Sequence, residues 1–130
     1  MVLGLWKPRQ AGPTYDTPLF IGDASTLSAA DVIPQYQRFE NVSAGKVQTV
    51  INTAGSIKHS DKQKWYYYPE QTSEEVVIFR HKTAHSPYKV NFHAAASLPL
   101  PEGALTRQSI ETRAFLFFKK GAVAKDGDVL

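Results

Sequence analysis

The chain has 130 residues, a net charge of +3, 42% hydrophobic and 21% charged residues, which is enough for one compact domain of ordinary globular composition. It contains no cysteine, so disulfides, thiolate metal ligands and cysteine nucleophiles are excluded. No apolar run reaches the ~18 residues of a membrane-spanning helix, and the opening MVLGLWKPRQ lacks the charged-then-apolar form of a secretory signal. A cytoplasmic protein without membrane attachment is therefore expected. The densest basic group, Lys58, Lys62 and Lys64, leads into an aromatic run; it reads as a charged turn before a strand, and no nucleic-acid partner is expected.

In chain order, Thr17–Asp23 is the first strand candidate, and Ser25–Ile33 reads as one short helix, with serines as caps, alanines inside and Pro34 as a stop. Pro34–Glu40 is a weak strand candidate. Lys46–Thr53 is a stronger one, alternating Val47, Thr49 and Ile51 against Gln48, Val50 and Asn52. Lys64–Tyr68 is aromatic and β-prone, Glu75–His81 is a near-continuous apolar run of the kind found in a buried strand, and Tyr88–Ala94 follows. Arg107–Phe118 is the last strand, and Gly121–Leu130 has no periodicity and reads as a flexible tail behind a single β domain of residues 1–120. Gly, Pro, Asn and Ser clusters punctuate these runs, so the chain is expected to be all-β, a sandwich, jelly roll or barrel with one short helix. A small sheet protein has edges to cover, and a homodimer is expected.

Strand alternation groups the chemistry. Arg107, Ser109, Glu111 and Arg113 share one face of the last strand, continued by Phe115 and Phe117. That stripe reads either as an anion-binding wall with an apolar floor or as a solvated face in which Glu111 offsets its arginine neighbours. Tyr66 and Tyr68 fall on one face of their strand, Trp65 and Tyr67 on the other, so one pair lines a pocket and the other packs elsewhere. His81 and His85 read as surface histidines at a strand end and turn. The serines of Gly22–Ser25 and Asn52–Ser56 lack a nucleophile elbow. Glu74 and Glu75 read as a solvated turn rather than an acid/base pair.

Four stretches together resemble a known family. Leu5–Pro8 (LWKP) is similar to its V-W-R-P element. Lys64–Arg80 (KWYYYPEQTSEEVVIFR) is similar to R-W-Y-Y-F-P-x-Q-T-P-D-E-V-L-L-F-K, Phe92–Ala96 (FHAAA) to P-H-T-A-F, and Thr106–Phe118 (TRQSIETRAFLFF) to P-R-E-S-I-E-V-R-A-L-V-F. This is the fungal hydroxylase/desaturase family of secondary metabolism, related to aspergillic-acid hydroxylase and gibberellin desaturase. The resemblance implies the double-stranded β-helix of 2-oxoglutarate oxygenases, in which His-x-Asp/Glu and a distal His hold iron and a later arginine pairs with the far carboxylate of 2-oxoglutarate. By position His93 would be the distal ligand and Arg107 the clamp, with Arg113 the other candidate.

Family members are about twice as long, and their His-x-Asp precedes the V-W-R-P element. The literal match here, His59-Ser60-Asp61, lies after that element. The expectation is thus a shortened jelly roll without the iron-holding front half. It would act as a non-oxidative biosynthetic enzyme, a cyclase or isomerase, on a polyketide, terpenoid or peptide-derived small molecule. Arg107, Arg113 and His93 are the expected catalytic residues, and Trp65, Tyr66, Tyr67, Tyr68 and Phe115 the expected substrate contacts. No cofactor or metal is expected; were a metal held, His59, Asp61 and His93 would be its ligands. The alternatives are an Fe(II)/2-oxoglutarate hydroxylase or desaturase, and a non-catalytic accessory protein.

Overall fold

The structure, a computed structural model, describes residues 1–43, 46–82 and 90–118. Eight strands appear among these residues: β1 (Val2–Pro8), β2 (Leu19–Gly22), β3 (Val32–Ser43), β4 (Lys46–Ile57), β5 (Trp65–Tyr67), β6 (Val77–Lys82), β7 (His93–Ala95) and β8 (Ser109–Phe115). They form a three-stranded sheet in the order β6-β1-β8, a second in the order β5-β2-β7, and the hairpin β3-β4, every pairing antiparallel.

The two three-stranded sheets face each other. Trp6 of β1 and Phe79 of β6 are buried against Leu19 of β2, with Ile21 and Val77 packed on that cluster. Alternation explains which residues point inward. On β1 the buried positions are Gly4, Trp6 and Pro8, and the register sets Trp6 beside Val77 and Glu111, and Gly4 beside Phe79 and Arg113. Gly4 is required where it stands, because a Cβ there would run into the Phe79 ring. The strand thus gives up a side chain so that its neighbour's ring can fill the space above the backbone.

Buried amides tie the loops to the strands. The Gln108 amide donates to Gln10 Oε1 at 3.2 Å, and Gln10 Nε2 donates to Thr14 Oγ1. The Thr14 amide donates to the Gln71 carbonyl at 2.9 Å, and Gln71 Nε2 donates to the Glu75 carbonyl at 3.1 Å. Gln10, Thr14 and Gln71 are all buried, and their mutual bonds satisfy what burial would otherwise leave unpaired.

Two features depart from expectation. In place of a helix over Ser25–Ile33 there are two single 3₁₀ turns, Ala24–Thr26 and Ala29–Asp31. Asp23 caps the first and Ser28 the second, each accepting from the amide two residues on. These local bonds compete with a continuous helix. Also, β1 is the central strand of its sheet, although the pattern around Gly4 and Pro8 gave no strand expectation there. Residues 121–130, expected as a tail, lie outside the described residues, as do His85 and Tyr88.

Candidate functional site

The chemistry collects on the inner faces, where β6 and β7 meet. β7 pairs with β2 so that His93 sits opposite Ile21, which aims His93 at the facing sheet. There its ring packs on Phe79, with centroids 4.4 Å apart and planes tilted by 46°. His81 lies two residues beyond Phe79 on the same face of β6, its ring 5.4 Å from that of His93. Glu111 reaches the same place from β8. One donor atom from each of His81, His93 and Glu111 lies within 4.8 Å of the others.

The His93 ring is anchored to the backbone: its Nδ1 lies 3.1 Å from the Asn91 carbonyl, and since a carbonyl only accepts, Nδ1 is the donor of this bond. Arg113 stands on the same face of β8, its Nε 3.7 Å from Glu111 Oε1. The result is two imidazoles, a carboxylate and a guanidinium over a phenylalanine floor. His81 therefore does not stand as a surface histidine: it is half-buried within this group, because it shares the inward face with Val77 and Phe79.

Arg107 is positioned differently. Its amide donates to Asp16 Oδ2 at 3.1 Å, and its Nη1 donates to the Thr17 carbonyl. The guanidinium carbon lies 6.0 Å from the Trp6 ring centroid, within cation–π range. Thr17 is at φ 41°, an unusual conformation for a β-branched residue.

An open cleft of about 580 Å³ is lined by Ile21, Asp23, Ser25, Tyr66, Arg80 and Asn91 among others, and it adjoins His93 through Ile21 and Asn91. The Ser25 hydroxyl and amide, at 2.6 and 2.9 Å, hold the Asp23 carboxyl below its ordinary range. The aromatic quartet splits as alternation requires. Tyr66 lines this cleft, whereas Tyr67 stacks on Phe20 with centroids 4.8 Å apart. Trp65 is half-buried and donates to Gln63 Oε1 at 3.4 Å, and Tyr68 is exposed. Phe115 is exposed at the end of β8, opposite Val2. His59 and Asp61 lie 3.1 Å apart, both exposed in the turn before β5. The metal-competent group among the described residues joins His93 to His81 and Glu111 instead.

Two facing antiparallel sheets with this topology place the chain in the class of 2-oxoglutarate-oxygenase jelly rolls. It belongs to the family described as the oxidoreductase/YMDC permease-like domain, which matches residues 1–117. Its relatives are fungal secondary-metabolism proteins. Aspirochlorine biosynthesis protein N of Aspergillus oryzae is 29% identical over 91% of this chain and 48% of its own length. The Fe(II)/2-oxoglutarate-dependent dioxygenase nvfI of Aspergillus novofumigatus is 31% identical over 87% of this chain and 39% of its own. The solved structure of the iron and alpha-ketoglutarate-dependent endoperoxidase NvfI superposes with a TM-score of 0.63 at 26% identity, covering 86% of this chain and 40% of that one. A variant of that enzyme gives 0.64 at 28% identity. The chain thus spans half the length or less of the relatives it matches.

Proposed function

We propose that the protein transforms a small, largely apolar intermediate of secondary metabolism, of polyketide, terpenoid or peptide origin, on the polar inner face between its two three-stranded sheets. The reaction class is a cyclisation or isomerisation, in which atoms are rearranged without net oxidation. The observation that carries this is the meeting of His81, His93, Glu111 and Arg113 beside the Phe79 ring. Each polar group there either handles a proton or stabilises charge, and the ring gives an apolar surface on which a folded substrate can rest.

Such chemistry needs an acidic C–H beside a carbonyl. The imidazole–carboxylate group accepts that proton, the electron pair moves onto the carbonyl oxygen, and Arg113 stabilises the oxyanion. Return of the proton to another carbon closes the balance with no oxidant. The aromatic floor favours one folded conformer of the substrate, which lowers the entropic part of the barrier. The test is turnover of pathway-type polyketide or terpenoid carbonyl compounds without oxygen, with product mass equal to substrate mass. His93→Ala should lower the rate by ~10²-fold or more. Turnover that requires both oxygen and 2-oxoglutarate would discard this reading.

A second reading is favoured by the relatives. The fold family implies Fe(II) and 2-oxoglutarate, and the donor set here fits them. Two imidazoles and a carboxylate suit non-haem Fe(II), and the arginines of the 107–113 stretch suit a carboxylate. His81, His93 and Glu111 would hold the metal, and Arg113 or Arg107 the 2-oxoglutarate carboxylate. Iron with 2-oxoglutarate would supply oxidative chemistry, hydroxylation or desaturation. Under this reading the chain's own residues orient the co-substrate and shield one side of the site with Phe79. Succinate formation coupled to substrate loss would decide for it.

A further inference from the structure

We propose that the cleft beside Ile21 is a substrate-positioning subsite, in which the Asp23 carboxylate and the Asn91 side-chain amide hold a hydroxyl group at the end of an otherwise apolar molecule. The inference rests on the reading that the inner face is the reactive site, and it adds which part of the substrate is gripped away from the reacting carbon.

Three observations converge. The first is register. Ile21 of β2 sits opposite Tyr66 of β5 on one side and opposite His93 of β7 on the other. Residues paired across strands in this way share one face of the sheet. Tyr66, Ile21 and His93 therefore form a row on the inner face, and its ends are two strand spacings, about 10 Å, apart. The cleft runs past Ile21 and Tyr66, and His93 stands next in the row. A ligand of two or three fused rings is long enough to lie in the cleft and reach His93.

The second is the lining. A volume of about 580 Å³ falls within the roughly 300–1,000 Å³ of small-molecule sites. Ile21, Ala24 and the Tyr66 ring give apolar walls, and Asp23 and Asn91 add a few polar groups, the usual division of labour in such sites.

The third is that these polar groups are set before a ligand arrives. Asp23 Oδ1 accepts from the Ser25 amide at 2.9 Å and from the Ser25 hydroxyl at 2.6 Å. Oδ2 is left as an acceptor without a donor among the described residues. The Asp23 amide donates to the Lys64 carbonyl at 2.9 Å, which fastens the residue to the chain entering β5. Asn91 is fastened to β6: its Oδ1 accepts from the Arg80 amide at 3.0 Å, and its own amide donates to the Arg80 carbonyl at 2.8 Å. Its Nδ2 is left to donate. A hydroxyl both donates and accepts, so it answers Asp23 and Asn91 together. A carboxylate brings no proton and meets Asp23 as a like charge, and a hydrocarbon answers neither. The Asn91 carbonyl also accepts from His93 Nδ1 at 3.1 Å, so one short segment sets both the gripped end and the ring that faces the reacting end.

The experiment compares 2-naphthaleneethanol, 2-ethylnaphthalene and 2-naphthaleneacetate as probes of the full chain, titrated by naphthalene fluorescence. The alcohol should bind at one equivalent, about tenfold tighter than either of the others. Asp23→Asn should bring the alcohol-to-carboxylate ratio close to one, because it removes the like charge and offers a donor in its place. Asparagine caps a turn as well as aspartate does, and circular dichroism reports folding. Tyr66→Ala should weaken all three probes and leave their ratios alone. Asp61→Asn, which removes an equal charge from an exposed turn, should change nothing. Should Asp23→Asn fail to fold, Asn91→Asp decides instead: it turns the donor into a second anionic acceptor and should widen the ratio. Equal binding of alcohol and carboxylate by the native chain, or a ratio indifferent to these substitutions, overturns the subsite. Its failure is separable from failure of the function. A carbonyl substrate turned over with the same KM with or without a remote hydroxyl sinks the subsite and keeps the reaction. Asp23-dependent choice of the alcohol, without turnover of any carbonyl compound, keeps the subsite and sinks the reaction.

Discussion

Arg107, just before β8, and Arg113, within it, are expected to respond differently to the same substitution. Arg107 bonds the carbonyl of a threonine at φ 41° and lies over Trp6. Such a backbone conformation persists only where surroundings impose it, at a cost of about 1–3 kcal/mol. Arg107→Ala removes a charged hydrogen bond and should lower stability by about 1–3 kcal/mol, measured by urea unfolding. Lysine should not restore it fully, because a point charge does not reproduce the planar fork. Arg113→Ala, at a half-open position paired only loosely with Glu111, should leave stability within about 0.5 kcal/mol while lowering turnover. Equal loss of stability in both variants would show that Arg107 is not the fastening of the 16–17 turn. A second residue-scale expectation concerns acid. The Thr72 amide and hydroxyl, at 2.6 and 2.8 Å, hold the Glu75 carboxyl below its ordinary range. A lowered folded-state value means that the ionised form favours the fold. Its contribution is present above the unfolded-state value, about 4, and is lost as pH falls through the folded-state value. The melting-temperature gap between the native chain and Glu75→Gln should be open at neutral pH and close on acidification; a gap constant with pH would show that the charge contributes nothing.

At the scale of elements, β1 and β6 depend on each other through Gly4 and Phe79. Gly4→Ala forces a methyl into the Phe79 ring and should cost about 1–3 kcal/mol. Phe79→Ala empties the core and should cost about 3–5 kcal/mol, also removing the surface on which His93 packs. If Gly4→Ala proved neutral in thermal unfolding, the ring would have a second place to go. This pair also explains what the sequence left unread. Glycine and proline mark strand ends in most chains, so Val2–Pro8 carries no strand signature. The reason for Gly4 is a ring 75 residues away in the chain. By contrast, β2, β3, β4, β5, β6 and β8 follow apolar or alternating runs that the sequence displays. The same alternation separates Tyr66 from Tyr67 and puts Glu111 and Arg113 on one face of β8, whereas Arg107, expected on that face, precedes the strand. His81 was legible in principle: Val77, Phe79 and His81 share a parity, and a strand continuing to Lys82 carries all three inward. Reading His81 together with His85 as a turn obscured that. The meeting of His81 with His93 and Glu111 was not legible, because it depends on how two sheets face each other and no local pattern encodes that. The helix expected over Ser25–Ile33 failed for a local reason, the capping bonds of Asp23 and Ser28.

At the scale of the whole molecule, β8 stands at the end of its described sheet with apolar side chains on both faces. Ile110 is 51% exposed, Phe115 66% and Phe117 92%, and across the outer face of the same sheet Ile78 is 61% exposed. A terminal strand offers a row of backbone donors and acceptors along its free side, and apolar side chains beside that row favour pairing with another chain. A second copy can supply the partner strand, since two antiparallel β8 strands related by a two-fold axis place the same residues opposite one another. Sedimentation velocity over a concentration series is expected to reveal a monomer–dimer equilibrium. Ile110→Lys should shift it towards monomer, because it sets like charges near one another across the two-fold and removes apolar area; adding salt should recover part of the loss by screening the repulsion. Ile110 points away from the face that carries Glu111 and Arg113, so the substitution should leave turnover as it was. A chain that stays monomeric throughout the series would dismiss self-pairing, and a dimer indifferent to Ile110→Lys would place the contact elsewhere.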